Sequence, residues 1–135
     1  IGSYDFKFLN GLNSSDENDD SLIIYTKIMA QNILLMGDAS VRSEKYILDT
    51  YNLKHMDILK VGHHGSSTST SSEFIDQISP SISLISAGKN NLYGHPHRET
   101  LKKLEDSKIL ITQIDGSIKL VLKDKVVYYL CPLMR

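Results

Sequence analysis

Polar side chains that suit metal or acid–base chemistry occur in three clusters, and each cluster directly follows an apolar run. The first cluster is residues 37–38 (Gly-Asp), the second is residues 62–66 (Gly-His-His-Gly-Ser), and the third is residues 88–97, which contain two Asn and two His. Ligands in α/β proteins collect just beyond the carboxyl ends of strands, so the three clusters are expected to converge on one site. Because Asp and neutral His are common ligands of zinc and manganese, the pattern indicates a metal site.

Each cluster also has a purely structural interpretation. Asp38 after a strand is compatible with a simple turn, and the pair His63 and His64 is compatible with hydrogen-bonded structure at a strand end. His95 and His97 flank a proline at a predicted helix start, where a histidine can serve only as a cap. For each cluster taken alone, the sequence leaves both interpretations open.

A run of seven hydroxyl residues, 66–72, follows the paired histidines. Hydroxyls and free N–H groups at a helix N-terminus bind anions well, so Ser66, Ser67 and Thr68 are predicted to form a phosphate cradle. The alternative is a flexible loop whose hydroxyls only cap the following helix.

Apolar periodicity predicts the elements that position these clusters. Strands are predicted at 4–9, 21–28, 32–36, 56–61, 82–86, 109–112, 117–122 and 126–130, and helices at 43–51, about 70–78 and about 96–106. Thr70 and Glu73 have capping-box spacing, which predicts the start of the second helix. Asp115-Gly116 is a hairpin signal, and a turn is expected at 123–125. Strands that alternate with helices predict an α/β layered domain with a largely buried sheet.

Composition limits the classes of function. The chain has 135 residues, which fits one domain of ordinary size. Its net charge of −1 provides no overall electrostatic attraction for DNA, so a DNA substrate would need a local site or another domain. The acidic residues within 16–20 are interpreted as a solvated loop. Cys131 is the only cysteine, which excludes an internal disulfide and a cysteine-based zinc knuckle. The apolar runs are too short to span a bilayer.

Four segments together resemble the ComEC-type DNA-uptake competence proteins, which carry a metallo-β-lactamase-type hydrolase domain. Residues 34–39 (LLMGDA) resemble the "LLTGD" segment of metallo-β-lactamase-type domains, and residues 57–66 (DILKVGHHGS) resemble "DVLKVGHHGS" of the ComEC type. Residues 86–96 (SAGKNNLYGHP) are similar to the "SAGKNNxYGHP" segment, and residues 115–116 match a "DG" hairpin. The resemblance runs from about residue 21 to about residue 122 and implies the C-terminal half of a four-layer αββα fold.

The resemblance implies a role for each matching residue. Asp38 would bridge two divalent ions, zinc or manganese, and His63 would be the final histidine ligand, with His64 as its rival. His64, His95 and Asn91 are assigned to catalysis near the substrate phosphate. The implied reaction is hydrolysis of a phosphodiester in DNA, in which two ions activate a water and a histidine protonates the leaving oxygen.

One departure from the family pattern changes these expectations. The main ligand motif of the superfamily, H-x-H-x-D-H, does not occur in the sequence. Residues 1–135 are therefore predicted to be a single partial domain that lacks its N-terminal half. Asp38 and His63 are too few for tight zinc binding, so the isolated chain is expected to be inactive and to retain no metal. An exposed sheet edge would favour a homo-oligomer.

Two other functions are compatible with the sequence. The missing motif favours a non-catalytic scaffold or binding module of the same fold. The second function is that of a general hydrolase of the superfamily, which would act on an ester or lactam. Residues 90–91 and 93–96 favour the ComEC-like branch over it. The resemblance also implies a parent that is a bacterial integral membrane protein, with DNA as its partner and this soluble domain on the extracytoplasmic side.

Overall fold

The computed structural model describes residues 4–9, 15–123 and 126–130. Within these ranges the elements, numbered along the chain, are β1 (Phe6–Phe8), β2 (Ile24–Ile28), β3 (Gln31–Leu35), α1 (Val41–Thr50), β4 (Ile58–Lys60), α2 (Ser72–Ile78), β5 (Ile82–Ile85), α3 (Arg98–Lys103), β6 (Lys108–Ile111), α4 (Thr112–Asp115), β7 (Lys119–Lys123) and β8 (Val126–Leu130). A short 3₁₀ turn at Gly62–Gly65 follows β4. No helix in these ranges combines the length and apolar character that a membrane span requires.

Six strands form one mixed sheet in the order β1-β2-β3-β4-β5-β6, and β7 pairs with β8 in a separate hairpin. The pairs β1–β2 and β2–β3 are antiparallel, whereas β3 to β6 run parallel. Parallel neighbours require crossover connections, which α1, α2 and α3 provide here. The carboxyl ends of β3, β4 and β5 therefore lie at one end of the sheet. This mixed α/β architecture confirms the predicted class, and the shared element boundaries lie within three residues of the predicted ones.

The main core lies between one face of the sheet and the helices. Leu34 on β3 and Leu59 on β4 are cross-strand partners, and both are fully buried. Ile47 of α1 and Phe74 and Ile78 of α2 belong to the same buried cluster. Burying each such side chain contributes about 1.5–3 kcal/mol, so this layer fixes the helices on the sheet.

The opposite face of the sheet, called the second face here, is also largely apolar. The register aligns two cross-strand rows on it: Phe6, Thr26, Ile33, Ile58 and Ile82 in one, and Phe8, Ile24, Leu35, Lys60 and Leu84 in the other. Phe6 and Phe8 are 54% and 62% exposed, and Ile24, Ile33 and Leu35 are half-buried. Part of this apolar face is therefore in contact with solvent.

The predicted hairpin at Asp115-Gly116 is wrong. Asp115 ends α4, and Gly116 follows it with a φ of +74° as the helix C-cap. The Gly116 N–H donates to the Thr112 carbonyl at 3.1 Å, and the Ile111 N–H donates to the Asp115 carboxylate at 2.7 Å. These two bonds close a single helical turn. The strands on either side of it are not paired with each other, because β6 pairs with β5 and β7 pairs with β8. Of the turn predicted at 123–125, the structure describes only Lys123, because residues 124–125 lie outside the described ranges.

The predicted capping box is also wrong. The N-cap of α2 is Ser71 and not Thr70. The Ser71 hydroxyl accepts the Phe74 N–H at 3.3 Å. Thr70 is buried with a φ of +63°. Its N–H and that of Ser71 both donate to the carboxyl group of Glu44, the latter at 2.8 Å. A carboxyl group from α1 thus occupies the N-terminus of α2, which the local spacing of residues could not show.

The acidic loop is only partly solvated. Asp16, Glu17 and Asp20 are exposed as predicted, but Asp19 is 3% exposed. The Asp19 carboxylate accepts hydrogen bonds from the Ser40 and Ser43 hydroxyls, which flank the start of α1. Asp19 therefore anchors the loop to the N-terminus of that helix, where a negative charge is favourable.

Candidate functional site

The three polar clusters meet at the carboxyl ends of β3, β4 and β5. The His63 N–H donates to the Gly37 carbonyl at 3.0 Å, which joins the first cluster to the second. The His97 N–H donates to the Gly65 carbonyl at 2.9 Å, which joins the second to the third. Backbone hydrogen bonds thus bring together the residues that the sequence placed in three separate segments.

The paired histidines lie on an unusual stretch of backbone. His63, His64 and Gly65 have φ values of +44°, +54° and +82°, which lie in the left-handed region. Such a conformation costs roughly 1–2 kcal/mol for a residue with a side chain. It persists here because neighbouring bonds enclose the turn, including the Ser66 N–H to the His63 carbonyl at 2.8 Å. Backbone strain of this kind is concentrated at functional sites.

The His64 ring lies opposite the Asp38 carboxylate. Its Nε2 lies 3.6 Å from Asp38 Oδ1, and both side chains are 49% exposed. Its Nδ1 lies 2.7 Å from the Ser86 carbonyl oxygen, which can only accept, so Nδ1 carries a proton and donates it. Nε2 is therefore directed at the carboxylate, where a proton or a cation between the two atoms would be favourable.

The Asp38–His64 geometry fits a shared metal ion. Two ligands at about 2.1 Å from one tetrahedral ion lie about 3.4 Å apart, close to the observed 3.6 Å. Metal-ligating histidines also usually donate their other ring N–H to a carbonyl or carboxylate, as His64 does to Ser86. Among the described residues, however, no group of three or more His, Cys, Asp or Glu side chains could hold a metal ion.

His63 has different neighbours. Its Nδ1 lies 3.3 Å from the Thr68 hydroxyl, and its ring centroid lies 5.7 Å from that of His95. Of the two histidines, the structure brings His64, the rival in the sequence interpretation, within ion-pair distance of Asp38. Ligand roles for Asp38, His63 and His64 remain predictions.

Asn91 uses its side chain to close the third cluster. Its Oδ1 accepts the His95 N–H at 2.8 Å, and its Nδ2 donates to the carbonyls of His95 and Gly88 at 2.7 and 3.0 Å. These bonds make Asn91 a positioning residue for His95, while its predicted direct catalytic role is untested. Burial lowers the pKa of His95, and the nearby His97, His63 and His64 lower it further, so His95 is neutral at neutral pH.

His97 links the second and third clusters through both ring nitrogens. Its Nδ1 accepts the Ser67 N–H at 2.8 Å, so Nδ1 carries no proton. Its Nε2–H then donates to the Tyr93 carbonyl at 3.1 Å. With both nitrogens hydrogen-bonded, His97 is a structural residue that ties Tyr93 to the hydroxyl-rich loop. Although His97 is the N-cap residue of α3, its side chain makes no capping hydrogen bond to that helix.

The predicted phosphate cradle has internal hydrogen bonds. The Ser66 hydroxyl lies 3.0 Å from that of Thr68 and accepts the Thr68 N–H at 3.3 Å, and Ser66 is buried. The Ser67 N–H is used by His97. Thr68 is exposed, and its hydroxyl also lies beside His63. Phosphate binding by Ser66, Ser67 and Thr68 remains a prediction, for which the exposed Ser67 and Thr68 offer hydroxyl groups.

Two charged residues near the site were not singled out from the sequence. Lys60 projects onto the second face, where burial lowers its pKa and the charge of Asp38 partly offsets that effect. Its Nζ donates to the Val61 carbonyl at 2.9 Å. Glu44, three residues before the buried Ile47, occupies the inner face of α1, and this spacing was the only available signal.

Comparison with known proteins gives several relatives. No protein-family model matches the chain. ComE operon protein 3 of Bacillus subtilis (strain 168) is 37% identical over 114 residues, which are 83% of this chain and 15% of that protein. Recombination protein 2 of Haemophilus influenzae is 33% identical over 76% of this chain and 13% of its own length. Competence protein ComA of Neisseria gonorrhoeae is 30% identical over 85% of this chain and 17% of its own length. The chain thus spans a small fraction of each relative.

Proposed function

Because the chain belongs to the ComEC-type family of competence proteins, as a segment of such a protein, we propose that it is the C-terminal half of a metal-dependent hydrolase domain that cleaves DNA during uptake. The observation that carries the hydrolase function is the pair formed by Asp38 and His64. Their facing atoms have the spacing of two ligands on one ion, and the Ser86 carbonyl fixes the histidine tautomer.

The remaining residues have supporting roles in this proposal. A bound zinc or manganese would polarise a phosphodiester and supply a hydroxide nucleophile. Asp38 and His64 would hold the ion, with His63 as the alternative histidine. His95, which is neutral at neutral pH, would exchange a proton with the reacting oxygens, and Asn91 positions it through the loop backbone. Thr68 would contact a phosphate oxygen.

The second face supports the proposed partial domain. A four-layer αββα fold packs two sheets face to face, and each needs an apolar inner surface. The exposed Phe6 and Phe8 and the half-buried Ile24, Ile33 and Leu35 offer such a surface. We propose that an N-terminal half covers this face and contributes the other metal ligands. In the parent protein, the domain would lie on the extracytoplasmic side of a membrane.

The test extends the chain upstream to include the proposed half and measures hydrolysis of linear DNA with added manganese or zinc. We expect Asp38→Ala and His64→Ala each to lower the rate by about 100-fold, because loss of a ligand removes the ion. His55→Ala is the matched control, since His55 is an exposed histidine that contacts Ser81 and Asp57. Hydrolysis that survives Asp38→Ala would contradict the proposed metal site.

A non-catalytic scaffold is the second candidate function. Among the described residues the donors fall short of a three-ligand group, which is the observation in its favour. Under this alternative the extended domain would bind DNA but retain no zinc or manganese after desalting. Metal analysis of the same preparation therefore separates the two functions.

A further inference from the structure

Three rings of the site lie nearly parallel in a row. The His64 and His95 rings are 6.5 Å apart with an interplanar angle of 21°, and the His95 and Tyr93 rings are 5.6 Å apart at 24°. The row begins at His64, which faces Asp38, and ends at Tyr93, which is 77% exposed. An aromatic surface therefore leads from the proposed metal position out to solvent.

The row of rings borders a cavity. Its volume is about 290 Å³, and its walls include His64, His95 and Tyr93 together with Ser86 and Gly88 at the end of β5. The aromatic rings line one part of this cavity, and the end of β5 lines another. A flat aromatic ring suits such a cavity, because its face can stack on the rings of the wall.

Tyr93 is exposed, yet its backbone is held in place. The His97 Nε2–H donates to the Tyr93 carbonyl at 3.1 Å, and the Gly94 N–H donates to the Asn91 carbonyl at 3.3 Å. The ring itself stacks on His95. A large aromatic side chain that is ordered before binding loses little entropy when a ligand stacks on it.

We infer that Tyr93 is a stacking platform for a nucleobase of single-stranded DNA, next to the phosphate that the site would cleave. This inference rests on the proposed function and names the form of its substrate. Bases of a single strand stack readily on exposed aromatic side chains, whereas the bases of a duplex are already paired and stacked. Stacking also fits a chain of net charge −1, because it needs no broad basic surface.

The test measures binding of the full chain to two fluorescent ligands at low ionic strength, by anisotropy. One ligand is a short oligothymidylate, and the other is an abasic strand with the same number of phosphates. Tyr93→Ala should weaken oligothymidylate binding by about 5- to 150-fold, while Tyr93→Phe should bind about as tightly as the wild type. Leu92→Ala is the control, since Leu92 is 98% exposed in the same loop. Binding of the abasic strand should be equal in all four proteins.

Each result supports or overturns the inference. Equal oligothymidylate binding by the wild type and Tyr93→Ala would overturn it, and so would an equal loss for both ligands, which would indicate a distorted loop. Circular dichroism of Tyr93→Ala checks the fold independently. A wild-type chain that binds neither ligand would also overturn the inference, while metal retention and hydrolysis by the extended domain would still decide the proposed function. Tyr93-dependent binding by the chain, with no hydrolysis by the extended domain, would support stacking and reject the proposed hydrolase.

Discussion

Gly65 is the residue at which the second and third clusters come into direct contact. Its φ is +82°, and a Cβ atom at this position would lie 2.6 Å from Cβ of Pro96. A side chain here would meet both an unfavourable backbone conformation and a clash with a ring that cannot rotate away. Because Pro96 directly follows His95, any displacement would also move the His95 ring relative to His63 and His64.

Gly65→Ala is therefore expected to lower the free energy of unfolding by about 1–3 kcal/mol, as overpacking typically does. Gly88→Ala is a matched control in the same site, because a Cβ there meets no atom within 4 Å. Its unfolding free energy should change by less than about 0.5 kcal/mol. Urea denaturation of both variants checks the prediction, and similar losses at the two positions would refute the close contact with Pro96.

The candidate site residues could be found from the sequence, but their arrangement could not. Asp38, His63, His64 and His95 were predicted from residue type and position after apolar runs, and the structure brings these residues together. The choice between His63 and His64 depends on where two consecutive left-handed residues direct their rings. Histidine is enriched at positive φ, but only a few per cent of residues with a side chain adopt it, so the sequence does not predict two such residues in succession.

At the scale of elements, α1 and α2 are joined by Glu44. Its carboxyl group accepts the N–H groups of Ser71, the N-cap of α2, and of the preceding Thr70. Burial raises the pKa of Glu44 above 4.5, while these two hydrogen bonds and the charge of Lys103 lower it to a smaller extent. Burial is thus the dominant effect.

The raised pKa predicts how stability depends on pH. A carboxyl group that binds a proton more readily in the folded state contributes most below pH 4.5, its unfolded value, and loses that contribution as the pH rises through the raised pKa. The wild type should therefore gain stability relative to Glu44→Gln, which cannot titrate, as the pH falls from 7 towards 4.5. Urea denaturation across this range measures the difference. A relative loss on acidification would mean that the two hydrogen bonds outweigh burial.

Element types followed from periodicity, whereas long-range caps did not. Apart from the single-turn helix α4, the order of strands and helices was predicted, because apolar spacing reports which face of each element is buried. The N-cap of α2 was misplaced by one residue: Ser71 is the cap, whereas the Thr70 N–H is held by Glu44, 26 residues earlier in the chain. The hairpin at 115–116 failed for a related reason: Asp-Gly suits both a tight turn and a helix end.

At the scale of the whole molecule, the sheet has one covered face and one partly open face. The core side chains of the first face pack against α1 and α2, while the second face exposes Phe6 and Phe8 on its edge strand β1. β1 is the terminal strand of the six-stranded sheet. The sequence predicted a partial domain through its missing ligand motif, and the open apolar face is an independent physical reason to expect a covering partner.

In the absence of that partner, the second face and the edge of β1 should pair with another copy of the chain. We expect light scattering to show dimers or larger species that increase with protein concentration. Replacing Phe6 and Phe8 together by Lys should shift the chain towards monomer. The added charges would oppose packing of two second faces against each other and pairing of two β1 edges. Ile114→Lys is the control, since Ile114 is 74% exposed on α4, away from the sheet rows. A wild-type monomer at every concentration would contradict self-association, and an equal effect of Ile114→Lys would place the contact elsewhere.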